Sequence, residues 1–189
     1  MSDVGERYSR EDLIAMDGEP VELNVGCGTD ERGVGIDLNY EEADIEADLD
    51  DGIPVDDSAV DRVIAEHVLE HLENPAATLR EINRVLRDDG EAVVEVPNVG
   101  WLPVRLYVTR DLHSFWLHKI PGESGHWLAR RIGDPDPDRT PHLTLWTKEL
   151  LRFHLERAGL SHDVGSTRHW VRNLRVTARP AETADGHSR

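Results

Sequence analysis

The sequence predicts an α/β fold: a doubly wound, mostly parallel sheet with shortened first crossovers and an antiparallel hairpin at its C-terminal end. Three observations carry this prediction. Short apolar runs with the two-residue period of strands recur through the first hundred residues. Between two of them lies an amphipathic helical stretch opened by Asn74-Pro75, the order of a parallel crossover. A second helical stretch opened by Thr147 is followed by two more strand-like runs.

Residues 1–8 form a lead-in. Ser9 caps a short helix with Asp12 at the capping-box position, and Asp17-Gly18-Glu19-Pro20 ends it. Strands follow at 21–25 and 34–37, then at 44–49, closed by an acidic run, and at 59–65. In the helix from Pro75, Ala76, Leu79, Ile82, Val85 and Leu86 share one face, and Asp88-Asp89-Gly90 stops it. The fifth strand, 92–96, halts at Pro97-Asn98. From 99 to 141 glycines and Asp134-Pro135-Asp136-Pro137 interrupt any period, which reads as a lid or substrate insertion carrying one amphipathic helix at 112–120. A helix over 148–158 ends at Gly159, and strands at 161–165 and 170–178 make the terminal hairpin. One domain therefore spans 1–179, with a core at 20–98, the insertion at 99–141 and a C-terminal part at 142–179, and 180–189 reads as a disordered tail.

The first strand stops at Gly26-Cys27-Gly28, where glycine lets the chain turn and lets a ligand lie against the peptide plane. The second ends on Asp37, and a carboxylate at a strand's carboxyl edge beside a glycine turn suits the two hydroxyls of a ribose. A dinucleotide site would need a third glycine in register and an acid about 20 residues on. Here Asp37 follows Gly28 too closely for an intervening helix, so a pyrophosphate would lack its usual anion site. The ligand indicated is a nucleoside-containing cofactor other than NAD or FAD.

Leu23-Asn24-Val25-Gly26-Cys27-Gly28 and Gly35-Ile36-Asp37-Leu38-Asn39, with Asp48-Leu49, Glu66-His67-Val68-Leu69-Glu70-His71-Leu72 and Pro97-Asn98, resemble the ordered motifs of class I S-adenosylmethionine (SAM)-dependent methyltransferases, in a compact type-11/23-like form with a Rossmann-like sheet. The resemblance covers roughly 20–98 and returns over 141–160. It implies SAM as cofactor, bound by Gly26, Cys27, Gly28 and Leu38, with Asn24 on the loop or the methionine end, Asp37 at the ribose, Asp48 and Leu49 at the adenine, and Glu66 near the methionine moiety. Asn24 stands where the family frequently has an acid, so it cannot supply charge against the ammonium or sulfonium. His67, His142 and Asn98 are the candidates for acting on an acceptor, with His67, His142 and Glu66 as candidate bases. The late motif around His142-Leu143 implies a small-molecule acceptor.

His67-Val68-Leu69-Glu70-His71 also has the spacing of inverted zinc peptidases, in which two imidazoles share a helix face. Because the segment follows a strand directly and Asn74-Pro75 lies close behind, no metal is expected. The same residues would also suit a non-catalytic SAM-fold binding module. An RNA methyltransferase would want a lysine-rich strip, which the chain lacks.

Charge is unevenly spread: residues 1–100 hold 28 acidic and 7 basic side chains, residues 101–189 hold 10 and 14. The second part also carries all five tryptophans, so it is either a pocket for an anionic acceptor, a partner face, or a late-sequence core. The net charge of −17 with only two lysines fits a halophilic, high-salt cytoplasm. One cysteine excludes an internal disulfide. No apolar run reaches the roughly 18 residues of a membrane span and no signal pattern opens the chain, so a cytoplasmic location is expected.

Overall fold

A computed structural model describes residues 7–100, 143–166 and 172–181. The elements in chain order are helix α1 (Arg10–Asp17), strands β1 (Glu22–Val25), β2 (Val34–Asp37), β3 (Ile45–Glu46) and β4 (Val60–Glu66), helix α2 (Pro75–Val85), strand β5 (Leu86–Pro97), helix α3 (Lys148–Arg157), strand β6 (Leu160–His162), a 3-10 turn (Val164–Ser166) and strand β7 (Asn173–Pro180). They form one seven-stranded sheet in the order β3-β2-β1-β4-β5-β7-β6. The first five strands are mutually parallel, while β7 runs antiparallel to β5 and β6 antiparallel to β7. No described helix joins β1 to β2 or β2 to β3, so the shortened crossovers hold.

Local chemistry explains the helix ends. Ser9 and Asp12 form a reciprocal capping box on α1, Asn74 accepts from the Ala77 amide ahead of Pro75 on α2, and Thr147 accepts from the Leu150 amide on α3. The apolar stripe of α2 buries Leu79, Ile82 and Val85, and α3 buries Leu151 and Leu155. The Asn83 side chain donates to the Ala158 carbonyl at 2.9 Å and so ties α2 to the end of α3. Trp146 is fully buried, with its ring edge-on to His154 at 5.5 Å, so this tryptophan serves the core.

Several boundaries differ from those read in the sequence, among them the strand read at 161–165, which is Leu160–His162 followed by the 3-10 turn. Strand β5 begins at Leu86, directly after α2, because Leu86 finds Val60 as a partner before pairing breaks and resumes at Arg62↔Glu91. Strand β3 is only two residues long. Strand β7 runs through Pro180, paired with Leu160, and the Ala181 amide donates to the Gly159 carbonyl at 2.8 Å, so Pro180, read as the start of a disordered tail, is the last residue of the strand. The helix expected at 112–120, the insertion beyond Gly100, His142 and residues 182–189 lie outside the described residues.

Parallel pairing brings the carboxyl ends of β1, β2, β4 and β5 to one edge. Because β7 is antiparallel, its first residues arrive at that same edge: Asn173 pairs with Pro97 and Arg175 with Glu95.

Candidate active site

The site starts at the turn after β1. The amides of Gly26 and Cys27 both donate to the Ile36 carbonyl, at 2.8 and 3.1 Å, which fastens the turn to β2. Gly26 has φ of +68° and Gly28 +49°, in the left-handed region where a side chain is strained. A Cβ on Gly26 would overlap the Val68 side chain, whereas a Cβ on Gly28 would meet nothing within 4 Å. Gly26 is thus a packing requirement, and Gly28 borders open space.

Asp37 closes that space. Its Oδ2 accepts from the Gly28 amide at 3.0 Å and its Oδ1 from the Asn39 amide at 2.8 Å. Each carboxylate oxygen keeps a lone pair, so the half-buried group can still accept from a diol. Cys27 is buried with its sulfur against Gly35; burial, and then the Asp37 charge, push its thiol up. It therefore stays protonated at neutral pH and offers a ligand only its backbone.

Asn24 is 3% exposed, and its Nδ2 has no hydrogen-bond partner, although it lies near enough to Asp30 to help keep that carboxylate charged. A buried amide donor without a partner is costly unless a ligand completes it. Hydrogen bonds from Arg32 hold the Asp30 carboxyl down at about 2. Arg32 also donates to Glu66 Oε2 at 2.7 Å, linking the glycine turn to the end of β4. Leu38 is exposed at the lip, and Asp48 is exposed with Oδ1 capping the Asp50 amide at 2.9 Å. Leu49 turns its side chain into the core and leaves its backbone for the edge.

On the other side of β1, Glu66 and Glu95 are paired neighbours on β4 and β5, and Arg175 of β7 bridges them. Hydrogen bonds from Arg32, then Arg175, hold the Glu66 carboxyl below its usual value. Burial raises that of Glu95, but Arg175 and Asn173 overcome it and the net direction is down. His67 follows with φ of +56°, and its ring reaches Glu70, Glu95 and Asn173. Residues 67–73 contain no helix, so His67 and His71 do not share a helix face as the zinc-peptidase spacing requires. Among the described residues no group of three side chains could hold a metal ion.

Asn98 is buried, its amide donates to the Arg172 carbonyl at 2.8 Å, and its Oδ1 accepts from the Gly100 amide at 2.9 Å. That arrangement braces the chain leaving β5. The edge therefore gathers Gly26, Gly28, Asn24 and Asp37 on one side and Glu66 and His67 on the other. Sequence reasoning missed Arg32, Glu95, Asn173 and Arg175, and had Glu70 only as a member of its motif. Glu95 had a signal, an acid amid Val93, Val94 and Val96, while Asn173 and Arg175 reach the site only through the order of the strands.

A SAM nucleoside fits these residues: an open glycine beside a carboxylate with acceptor capacity left over, and an orphaned buried donor next to the turn. Among the described residues no helix is long and apolar enough to cross a membrane.

Residues 6–94 match the family model of a methyltransferase domain. An uncharacterized 37.1 kDa protein from transposon TN4556 of Streptomyces fradiae is 30% identical over 162 residues, 68% of this chain. The chain spans 47% of that relative, about half its length. A SAM-dependent methyltransferase of Thermotoga maritima superposes with a TM-score of 0.61 at 12% identity, over 91% of this chain and 88% of its own. The 1,6-didemethyltoxoflavin-N1-methyltransferase of Burkholderia thailandensis, solved with its substrate and S-adenosylhomocysteine (SAH), superposes at 0.54 with 14% identity, over 92% and 76%. Residues 6–94 are thus similar to the methyltransferase-domain family, and the chain carries the fold seen in SAM-dependent methyltransferases.

Proposed function

We propose that the chain binds SAM across the carboxyl ends of β1, β2 and β4 and transfers its methyl group to a small-molecule acceptor. The observation that carries this reading is the juxtaposition of Gly28 and Asp37, open backbone beside a carboxylate with acceptor capacity left over. Asp37 would hold the ribose hydroxyls, with Leu38 against the sugar's outer face. Asp48 and the Leu49 backbone would meet the adenine. The turn at Gly26-Cys27-Gly28, with Asn24 and Glu66, would hold the methionine end.

SAM supplies an electrophilic methyl carbon on a sulfonium that departs as a neutral thioether. The chain's own work is then to align the acceptor with that carbon, keep water out, and remove a proton where the acceptor carries one. His67 and His142 are the residues proposed to face the acceptor, with Asn98 bracing the chain as it leaves β5. A small acceptor is supported by the likeness to the toxoflavin-precursor enzyme, and an anionic one by the basic balance of residues 101–189.

The test is a thermal shift with SAM and SAH, followed by transfer of labelled methyl from SAM to a pool of phenols, sugars and amines. Binding at 100 times the dissociation constant should stabilise the fold by about 2.7 kcal/mol. Absence of any shift with either nucleoside contradicts the reading; binding without transfer to any acceptor favours a non-catalytic binding module instead.

A further inference from the structure

We propose that His67 is the base that takes the proton from the acceptor, that Glu70 fixes its tautomer, and that Glu95 receives the ring's new N–H. The inference rests on the methyltransferase reading and adds the acceptor's chemical class, an oxygen or nitrogen nucleophile that carries a proton.

The donors and acceptors around the ring favour one tautomer. Asn173 Nδ2 donates to Glu95 Oε1 at 2.7 Å, and the same nitrogen lies 3.1 Å from His67 Nε2. A proton on Nε2 would oppose the Asn173 hydrogens, with Glu95 Oε1 at 3.3 Å as its acceptor, so the favoured form leaves Nε2 a lone pair and puts the ring proton on Nδ1. There it meets Glu70 Oε1 at 3.2 Å. Glu70 is 1% exposed, and its Oε2 has no hydrogen-bond partner, so the imidazole is the donor this buried carboxylate has. The ring itself is 46% exposed, within reach of a ligand on the edge. The backbone is spent on this placement: His67 takes a left-handed φ of +56°, and its amide donates to the Glu95 carbonyl at 2.9 Å.

In the step, the acceptor's X–H bond breaks, its electron pair stays on X for the new bond to carbon, and the proton passes to the Nε2 lone pair. The Asn173 amide gives way, and the new N–H turns to Glu95 Oε1, 3.3 Å from Nε2. The positive ring then faces Glu70 from the turn and Glu95 from β5. Glu66 of β4 stands beside them, and the nearby guanidinium groups of Arg32 and Arg175 are engaged with Asp30, Glu66 and Glu95.

The test reads the tautomer in two-bond proton–nitrogen spectra of the full chain labelled with nitrogen-15 histidine, without any ligand. Wild type should show His67 protonated on Nδ1, Glu70→Gln should keep that form because its amide oxygen can still accept, and Glu70→Leu should lose it. His67→Gln should bind SAH within about twofold of wild type and lose at least about a hundredfold in methyl transfer to the pool. A wild-type ring protonated on Nε2, an unchanged tautomer in Glu70→Leu, or full transfer by His67→Gln overturns the proposal. Failure of SAH to bind wild type sinks the methyltransferase reading instead, and the tautomer spectra stand apart from it.

Discussion

Gly26 and Gly28 lie two residues apart, share a positive φ, and answer to different constraints. At Gly26 an added methyl overlaps Val68, and the φ of +68° is strained as well, so Gly26→Ala should cost about 2–4 kcal/mol of stability and lower the melting temperature sharply. At Gly28 the added methyl enters open space, so only backbone strain of about 1–2 kcal/mol remains, while the methyl protrudes where a nucleoside would lie. Gly28→Ala should therefore fold and lose at least about tenfold in SAH affinity. Paired melting and titration calorimetry on the two variants check this; equal effects at both glycines would contradict the division of labour.

At the scale of elements, the edge is held by a ladder from Asp30 through Arg32, Glu66 and Arg175 to Glu95, crossing the β1 turn, β4, β5 and β7. Its three carboxyls are depressed in the folded chain, Asp30 to about 2. A depressed carboxyl contributes stability above its unfolded value, about 4 for these residues, and loses it as pH falls through the folded value. Melting followed by circular dichroism should thus show the wild-type transition falling steeply from about pH 4 towards pH 2. Arg32→Gln should flatten that slope while lowering stability at neutral pH, and an unchanged slope would contradict the ladder. On the helical side, Ile82 is fully buried in the stripe of α2, and Ile82→Ala should cost about 2–5 kcal/mol, read as a lower denaturant midpoint at constant slope.

Across the whole molecule, what the sequence made legible is what local chemistry decides. The capping box at Ser9, Pro75 after Asn74, and Gly159 after α3 mark ends that short-range hydrogen bonds enforce, and the alternation of Val21, Leu23 and Val25 marks a strand. The start of β5 at Leu86 and the end of β7 at Pro180 were not legible, because each depends on a partner strand far along the chain. The same division applies to the site. Gly26, Gly28 and Asp37 announce themselves by residue type and spacing, whereas Asn173 and Arg175 reach the edge only because β7 is inserted between β5 and β6. Everything in the functional account then hangs on a nucleoside lying over Gly28 with its sugar on Asp37. Titration calorimetry of SAH into wild type and Asp37→Ala tests that most directly. Two hydrogen bonds to a carboxylate, at about 1.5–3 kcal/mol each, predict a loss of about a hundredfold or more in a variant whose circular dichroism is unchanged. A folded Asp37→Ala that binds SAH as tightly as wild type would contradict the account.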